Sequence, residues 1–232
     1  SGTIPKRKDR YRLYLSIARP DNLFITDLQE KFQTAGIEVK NSNLGQLPET
    51  TWFHYPSDYL GDIVHSLNVR SDNLYAESVL RLLSLSAHEK GSAEKGIDII
   101  RKYWQNYEAD SLELFMYDGS GLARNNKVSA KYLNCVLKET ARDSLIGEYF
   151  VQTLPLAGKE GSVATIMKHG ELPGELRLKS GSMSDVHAYA GYYTTPQNRY
   201  AIVVMINNYT CTRAQLKQKI STLLTQVLSK KE

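Results

Sequence analysis

Two tripeptides carry side chains suited to chemistry on an acyl group: Ser71-Asp72-Asn73 and Lys179-Ser180-Gly181. A serine hydroxyl attacks a carbonyl only when a base is held against it. A lysine serves as that base when burial or a neighbouring cation lowers its pKa. Lys179 can supply such a cation and attract a substrate carboxylate. Ser71 can pass a proton between two lysines, and Asn73 offers both a donor and an acceptor to a substrate amide. Ser180 can hydrogen-bond a terminal carboxylate, and Gly181 lets an extended substrate approach a strand edge without a side-chain clash. The backbone N–H of Ser182 suits half of an oxyanion hole. Each tripeptide also has a structural reading. Ser-Asp-Asn has the composition of a helix N-cap, and Lys-Ser-Gly that of a turn at a strand end.

The elements that must position these residues follow from hydrophobic spacing. Tyr59, Leu60, Ile63, Val64 and Leu67 form one helical stripe; Leu74, Val79, Leu82 and Leu83 form a second. Ser71-Asp72-Asn73 falls at their junction. Gly91-Ser92 opens a further helix through Ile97, Ile100 and Tyr103, and Ser129 caps one running to about Arg142. Leu112–Tyr117 reads as a strand, followed by the turn Asp118-Gly119-Ser120-Gly121. In the last third, Glu175–Ser180, Val186–Thr194 and Arg199–Asn207 read as strands, with turns at Gly181-Ser182 and Pro196-Gln197-Asn198. Leu216, Ile220, Leu223, Leu224, Val227 and Leu228 mark a closing amphipathic helix. Near the start, Tyr11–Ala18 alternates like a strand. Phe24, Leu28 and Phe32 share a helix face, with Asp21 or Asn22 as its cap and Gly36 as its stop, and Asn41–Thr51 reads as a loop. Middle helices, hairpin-linked strands and a final helix predict an α+β fold with a mainly antiparallel sheet.

The chain has 232 residues, 41% hydrophobic and 23% charged, enough for a core without disulfide staples. A net charge of +4 suits an anionic surface such as a cell wall, and no basic stripe interleaved with aromatics points to nucleic acid. Cys135 and Cys211 form no CxxC. His54, His65, His88, His169 and His187 show no paired ligand spacing, so they read as surface or core residues; no metal and no cofactor are expected. The apolar run Ala201–Ile206 is too short to span a bilayer.

Longer stretches surround the tripeptides: Val69-Arg-Ser-Asp-Asn-Leu-Tyr-Ala-Glu-Ser78, Tyr117-Asp-Gly-Ser-Gly-Leu122, Leu154-Pro-Leu-Ala-Gly-Lys-Glu-Gly-Ser162, and Leu178-Lys-Ser-Gly-Ser-Met-Ser-Asp-Val186 with Ala188-Tyr-Ala-Gly-Tyr192. SDN and KTG, with SxxK, are the signature of penicillin-binding proteins and class A β-lactamases; here Ser180 stands for the Thr and keeps the hydroxyl. In combination these stretches resemble the low-molecular-mass class C penicillin-binding proteins, the D-alanyl-D-alanine carboxypeptidase/endopeptidase family. The resemblance implies a penicilloyl-serine transferase fold, a sheet with helices on both sides, of which residues 1–232 would be the C-terminal portion of a single domain. It implies Ser71, Asn73 and Lys179 as catalytic residues and Ser180, Gly181 and Ser182 as substrate-binding ones. It implies peptidoglycan stem peptides as substrate, β-lactams as ligands of the intact protein, and an extracytoplasmic bacterial location.

The family's nucleophile lies in an SxxK segment upstream of both tripeptides. Ser92-Ala-Glu-Lys95 alone has that spacing here, and it lies between them, so Ser92 reads as a helix N-cap. The expectation is therefore a chain that holds the electrostatic and substrate-binding half of the site, partnered by an N-terminal segment of the same protein and inactive alone. Two alternatives differ in class: a non-catalytic wall-binding or assembly module that keeps the fold, and a β-lactamase. Against the latter, nothing resembles the glutamate loop that class A enzymes use for deacylation. Asp72 reads as a brace of the SDN turn, Asp118-Gly119-Ser120-Gly121 as a structural turn near the cleft, and Tyr189, Tyr192 and Tyr193 as sheet packing.

Overall fold

The computed structural model describes residues 17–39, 54–87, 90–107, 111–167 and 172–230. They belong to two compact units, residues 1–55 and 56–232. The loop expected at Asn41–Thr51 and most of the strand expected at Tyr11–Ala18 lie outside the described residues; Ile17 and Ala18 are not in a strand. In the first unit, helix α1 spans Pro20–Thr34. Its first turn is set by Pro20, whose missing N–H costs nothing there. Asp21 and Asn22 are not its cap: they sit inside the first turn and accept hydrogen bonds from the Arg19 guanidinium.

The second unit begins with helices α2 (Leu60–Arg70), α3 (Asn73–Ser86) and α4 (Ala93–Trp104). Each of α3 and α4 starts on a side-chain cap: Asp72 accepts from the Tyr75 N–H and Ser92 from the Lys95 N–H. Gly96 lets α4 close onto α3, since a Cβ there would lie 2.2 Å from the Leu80 carbonyl oxygen. Strands β1 (Leu114–Phe115) and β2 (Lys127–Val128) form a short hairpin. The strand expected over Leu112–Tyr117 is thus only two residues long, because Ser111–Glu113 coils into a 3-10 turn. Helix α5 (Ala130–Arg142) starts on the Ser129 cap. Helix α6 (Gly147–Thr153) was not anticipated.

Strands β3 (Glu175–Met183), β4 (Val186–Thr194) and β5 (Arg199–Asn207) make an antiparallel sheet in that order. Helix α7 (Arg213–Leu228) closes the chain with a capping box between Thr212 and Gln215. Period-two alternation sends Leu176, Leu178, Tyr189 and Tyr193 to one face of the sheet, where they pack with Leu216, Ile220, Leu224 and Leu228 of α7. On the other face Tyr192 packs with Leu137 of α5 and Val151 of α6, and its hydroxyl donates to the Leu137 carbonyl at 2.7 Å. Burying each large side chain contributes about 1.5–3 kcal/mol. The result is the expected α+β architecture, an antiparallel sheet flanked by helices.

One turn moves. Gly181 and Ser182 are not a reversal but continue β3, paired with Ala188 and His187. The chain reverses at Ser184-Asp185, where Asp185 takes φ 60° and its carbonyl accepts from the Asn208 N–H at 2.7 Å. Small residues suit a turn and an open strand edge equally, which is why composition alone misplaced it.

Candidate active site

The two tripeptides meet. Lys179 Nζ donates to Ser71 Oγ at 2.7 Å across 108 residues of chain, and to its neighbour's carbonyl, Ser180 O, at 2.9 Å. Ser71 is the first of the two residues between α2 and α3, in the left-handed conformation (φ 56°, ψ 50°) that non-glycine residues seldom adopt. That bend ends α2, frees Asp72 to cap α3, and aims the serine hydroxyl outward toward β3. Asn73 is the first residue of α3 and exposed, two positions from Ser71.

Several contacts hold the helix junction against the sheet. The Asn68 amide donates to Thr153 Oγ1 of α6 at 3.0 Å, a buried bond. Residues 154–157 run along the outer edge of β3: Leu178 N–H donates to Pro155 O at 3.0 Å and Ala157 N–H to Leu176 O at 2.8 Å. Past Leu178 that edge pairs with no other backbone among the described residues. Because Leu176 and Leu178 turn their backbone groups outward, strand alternation turns the Ser182 N–H to the same open edge. A Cβ on Gly181 would meet nothing within 4 Å, so no packing in this chain requires glycine there. A cavity of about 630 Å³ is lined by Gly181 and Ser182 and also by Asp118, Arg124 and Asn126.

The electrostatics favour an anion. Burial lowers the Lys179 pKa below the usual lysine value. Among the described residues no carboxylate pairs with Lys179, so its charge is not spent on a counter-ion. Asp118 is engaged elsewhere. Burial opposes its ionisation, but the Asn126 amide and the N–H groups of Ala123, Gly121 and Leu122 outweigh that and lower its pKa. Its turn is tied to α3 by Glu77, whose carboxylate accepts the Gly119 and Ser120 N–H groups at 3.1 and 3.0 Å. Tyr189 is a packing residue, its pKa pushed up to about 12 by burial.

Ser92, the one serine with SxxK spacing, caps α4 through its hydroxyl. Its N–H donates to Ser84 at the far end of α3, about 16 Å along the helix from Asn73 at 1.5 Å per residue. No cluster of metal-ligating side chains occurs among the described residues, and none of their helices is long and apolar enough to cross a membrane. Cys135 and Cys211 are not joined in a disulfide. His88 and His169 lie outside the described residues. Sequence reasoning named Ser71, Lys179 and Ser180, but missed Ser162, whose Oγ accepts a 2.7 Å hydrogen bond from Ser180 Oγ. Ser162 closes one of the quoted stretches, yet nothing in its spacing tells which β3 residue it touches.

An antiparallel sheet between helices, with a strand-borne Lys-Ser-Gly meeting a Ser-Asp-Asn helix junction, places this chain in the penicillin-binding class of fold. The structure of penicillin binding protein 4 (dacB) from Haemophilus influenzae matches it with a TM-score of 0.75 at 23% identity, over 92% of this chain and 50% of that one. The same protein complexed with a novel β-lactam gives 0.73. The chain belongs to the D-Ala-D-Ala carboxypeptidase 3 (S13) family, matched over residues 1–230. It is 25% identical to the D-alanyl-D-alanine carboxypeptidase DacB of Haemophilus influenzae over 96% of this chain and 48% of that protein. It is also 25% identical to the D-alanyl-D-alanine carboxypeptidase of Actinomadura sp. (strain R39), over 90% and 41% respectively. The chain thus spans about half the length of the curated relatives it matches.

Proposed function

We propose that this chain is the C-terminal part of a serine-type D-Ala-D-Ala carboxypeptidase, with endopeptidase action on D-Ala cross-links as a second use of the same site. It acts on peptidoglycan stem peptides in the bacterial cell envelope, outside the cytoplasm, and in the intact protein it binds β-lactams. The observation that carries this reading is the Lys179–Ser71 hydrogen bond of 2.7 Å, made between two tripeptides on separate elements. A bare helix cap or strand-end turn has no need of it.

The geometry supports one role for each residue. Lys179 presents a partly desolvated ammonium with no carboxylate partner among the described residues and attracts the terminal carboxylate of the peptide. Ser180 donates a hydrogen bond to that carboxylate. The substrate lies extended along the open edge of β3, where Gly181 leaves room and the Ser182 N–H faces the scissile carbonyl oxygen. Asn73 holds a substrate amide. A serine and lysine from a segment N-terminal to this chain supply nucleophile and base, and Ser71 passes the proton between that base and Lys179. The acyl-enzyme is then hydrolysed. On this reading the chain is part of one penicilloyl-serine transferase domain and is inactive alone.

The test is release of D-Ala from an acetylated D-Ala-D-Ala peptide by the full encoded protein, together with acylation by benzylpenicillin located by mass spectrometry. Both reactions mapped to an upstream serine support the reading. A full protein that folds, lacks an SxxK segment and binds the peptide without cleaving it would instead be the non-catalytic wall-binding module. That alternative is favoured by one observation only, the use of Ser92 as a cap.

A further inference from the structure

We infer that Ser162 is a positioning residue for the carboxylate subsite, acting through the hydroxyl of Ser180; this rests on the proposed function. Ser162 lies in the 3-10 turn Gly161–Val163, between α2 and β3. Its neighbours on both sides are locked. Gly161 has φ +50°, and a Cβ there would lie 2.2 Å from the Val69 carbonyl oxygen near the end of α2. Val163 is fully buried in the core shared with α7. The turn is stapled further: Gly158 N–H donates to Val163 O at 3.0 Å, and the Glu160 carboxylate accepts the Leu156 N–H at 2.8 Å. Leu156 in turn bridges to Arg177 of β3. A residue held between two fixed neighbours has a fixed backbone, so the Cα–Cβ bond of exposed Ser162 is a fixed point beside the strand.

That fixed point meets Ser180. In the structure the Ser180 hydroxyl donates to Ser162 Oγ at 2.7 Å. A hydroxyl has one proton and two acceptor sites, and it rotates to suit its partners. When an anion arrives, the Ser180 proton turns to it. The vacated bond is remade in the opposite sense, with Ser162 donating to Ser180 Oγ. No covalent bond changes; two O–H groups reorient. The chain Ser162 O–H to Ser180 O–H to carboxylate is polarised in one direction, which strengthens the terminal hydrogen bond. Ser162 also fixes the Ser180 rotamer, so less side-chain freedom is lost on binding. Lys179 supplies the charge on the other side of the strand edge, where it already holds Ser180 O at 2.9 Å. The ligand chemistry is a C-terminal peptide carboxylate, not a neutral amide.

The experiment is an NMR titration of the chain with acetyl-D-Ala-D-Ala and with the same peptide amidated at its C-terminus. The unsubstituted chain binds the acid more tightly than the amide. Ser162→Ala weakens the acid by about 3–10-fold, the scale of one hydrogen bond, and leaves the amide unchanged. Ser162→Thr keeps the acid preference. In a Ser180→Ala background, Ser162→Ala causes no further loss, because its route to the ligand is gone. A thermal melt checks that each variant is folded. Equal losses for acid and amide would mean a merely structural turn. Additive losses with Ser180→Ala would mean direct contact, and no acid preference in the unsubstituted chain would mean no carboxylate subsite; each overturns the inference. D-Ala release by the full protein is read separately. Turnover without a Ser162 effect removes only this inference, and acid-selective binding without turnover removes only the peptidase reading.

Discussion

Lys179 Nζ and Ser71 Oγ stand 2.7 Å apart, although one belongs to a sheet strand and the other to the bend between two helices. The pair couples a charge to a hydroxyl that can relay protons. On the proposed function, the substrate carboxylate is already anionic before reaction, so Lys179 would aid binding. Negative charge would also grow on the carbonyl oxygen during acylation, so Lys179 would matter more in the transition state than in the ground state. In the full encoded protein, Lys179→Ala should lower the acylation rate by about 10²–10³, the scale of a lost electrostatic stabiliser. Ser180→Ala should cost less, about 1.5–3 kcal/mol for one bond to a charged group. The measurements are kcat/KM on a D-Ala-D-Ala peptide and the benzylpenicillin acylation rate. Near-normal rates in folded Lys179→Ala would reduce Lys-Ser-Gly to a strand end.

The chain alone should form no covalent adduct with benzylpenicillin. Ser92 is committed to capping α4, and Lys179 donates its protons to Ser71 and Ser180 rather than accepting one. No serine in the site therefore has a base held against it. Intact-protein mass spectrometry after incubation is the check, and an adduct on any serine of this chain would contradict the division of labour proposed for the two segments.

The site was legible to different depths in different places. Ser71-Asp72-Asn73 sits between two apolar stripes, and a polar break in helical periodicity is a strong signal; the structure puts the α2–α3 junction there. The three C-terminal strands and α7 also follow from period and length. The extent of β3 did not, because Gly181 and Ser182 are small residues on an open edge and look like a turn. Helix α6 is seven residues long, too short for its apolar positions to show a period. The Ser162–Ser180 bond joins residues 18 apart through a 3-10 turn, and tertiary proximity of that kind leaves no local pattern.

Gly161→Ala should destabilise the second unit and loosen the site together. The residue has φ +50°, and its new Cβ would approach the Val69 carbonyl oxygen to 2.2 Å, backbone that cannot swing aside. Left-handed strain costs about 1–3 kcal/mol, and the contact adds to it. Val69 lies two residues before Ser71, so relief by displacement of α2 lengthens the Ser71–Lys179 bond. A lower thermal midpoint with weakened peptide binding is the expected pair of results. Unchanged stability would show that the turn can move away from α2 freely.

The last prediction concerns acid. His187 is buried on β4, facing α7, with Nε2 2.9 Å from the Tyr189 hydroxyl. Its Nδ1 is buried without a hydrogen-bond partner among the described residues. Burial lowers its pKa below the ordinary histidine value, and the nearby positive charges of Lys217 and Arg213 lower it further. The folded protein therefore holds His187 neutral where the unfolded chain, with a pKa near ~6.5, already binds a proton. More protons bound to the unfolded state mean that stability rises with pH. Stability is thus fully present above about pH 6.5 and declines as the pH falls from there toward the lowered folded-state value. Thermal midpoints measured from neutral pH down to mildly acidic pH should fall, and His187→Gln, which cannot titrate, should flatten that part of the curve. The Lys217→Gln variant removes one repelling charge, brings the folded-state value back toward the ordinary one, and should make the decline shallower and end at a higher pH. An identical acid dependence in His187→Gln and the unsubstituted chain would assign the loss to carboxylates instead, and the buried imidazole would have no part in it.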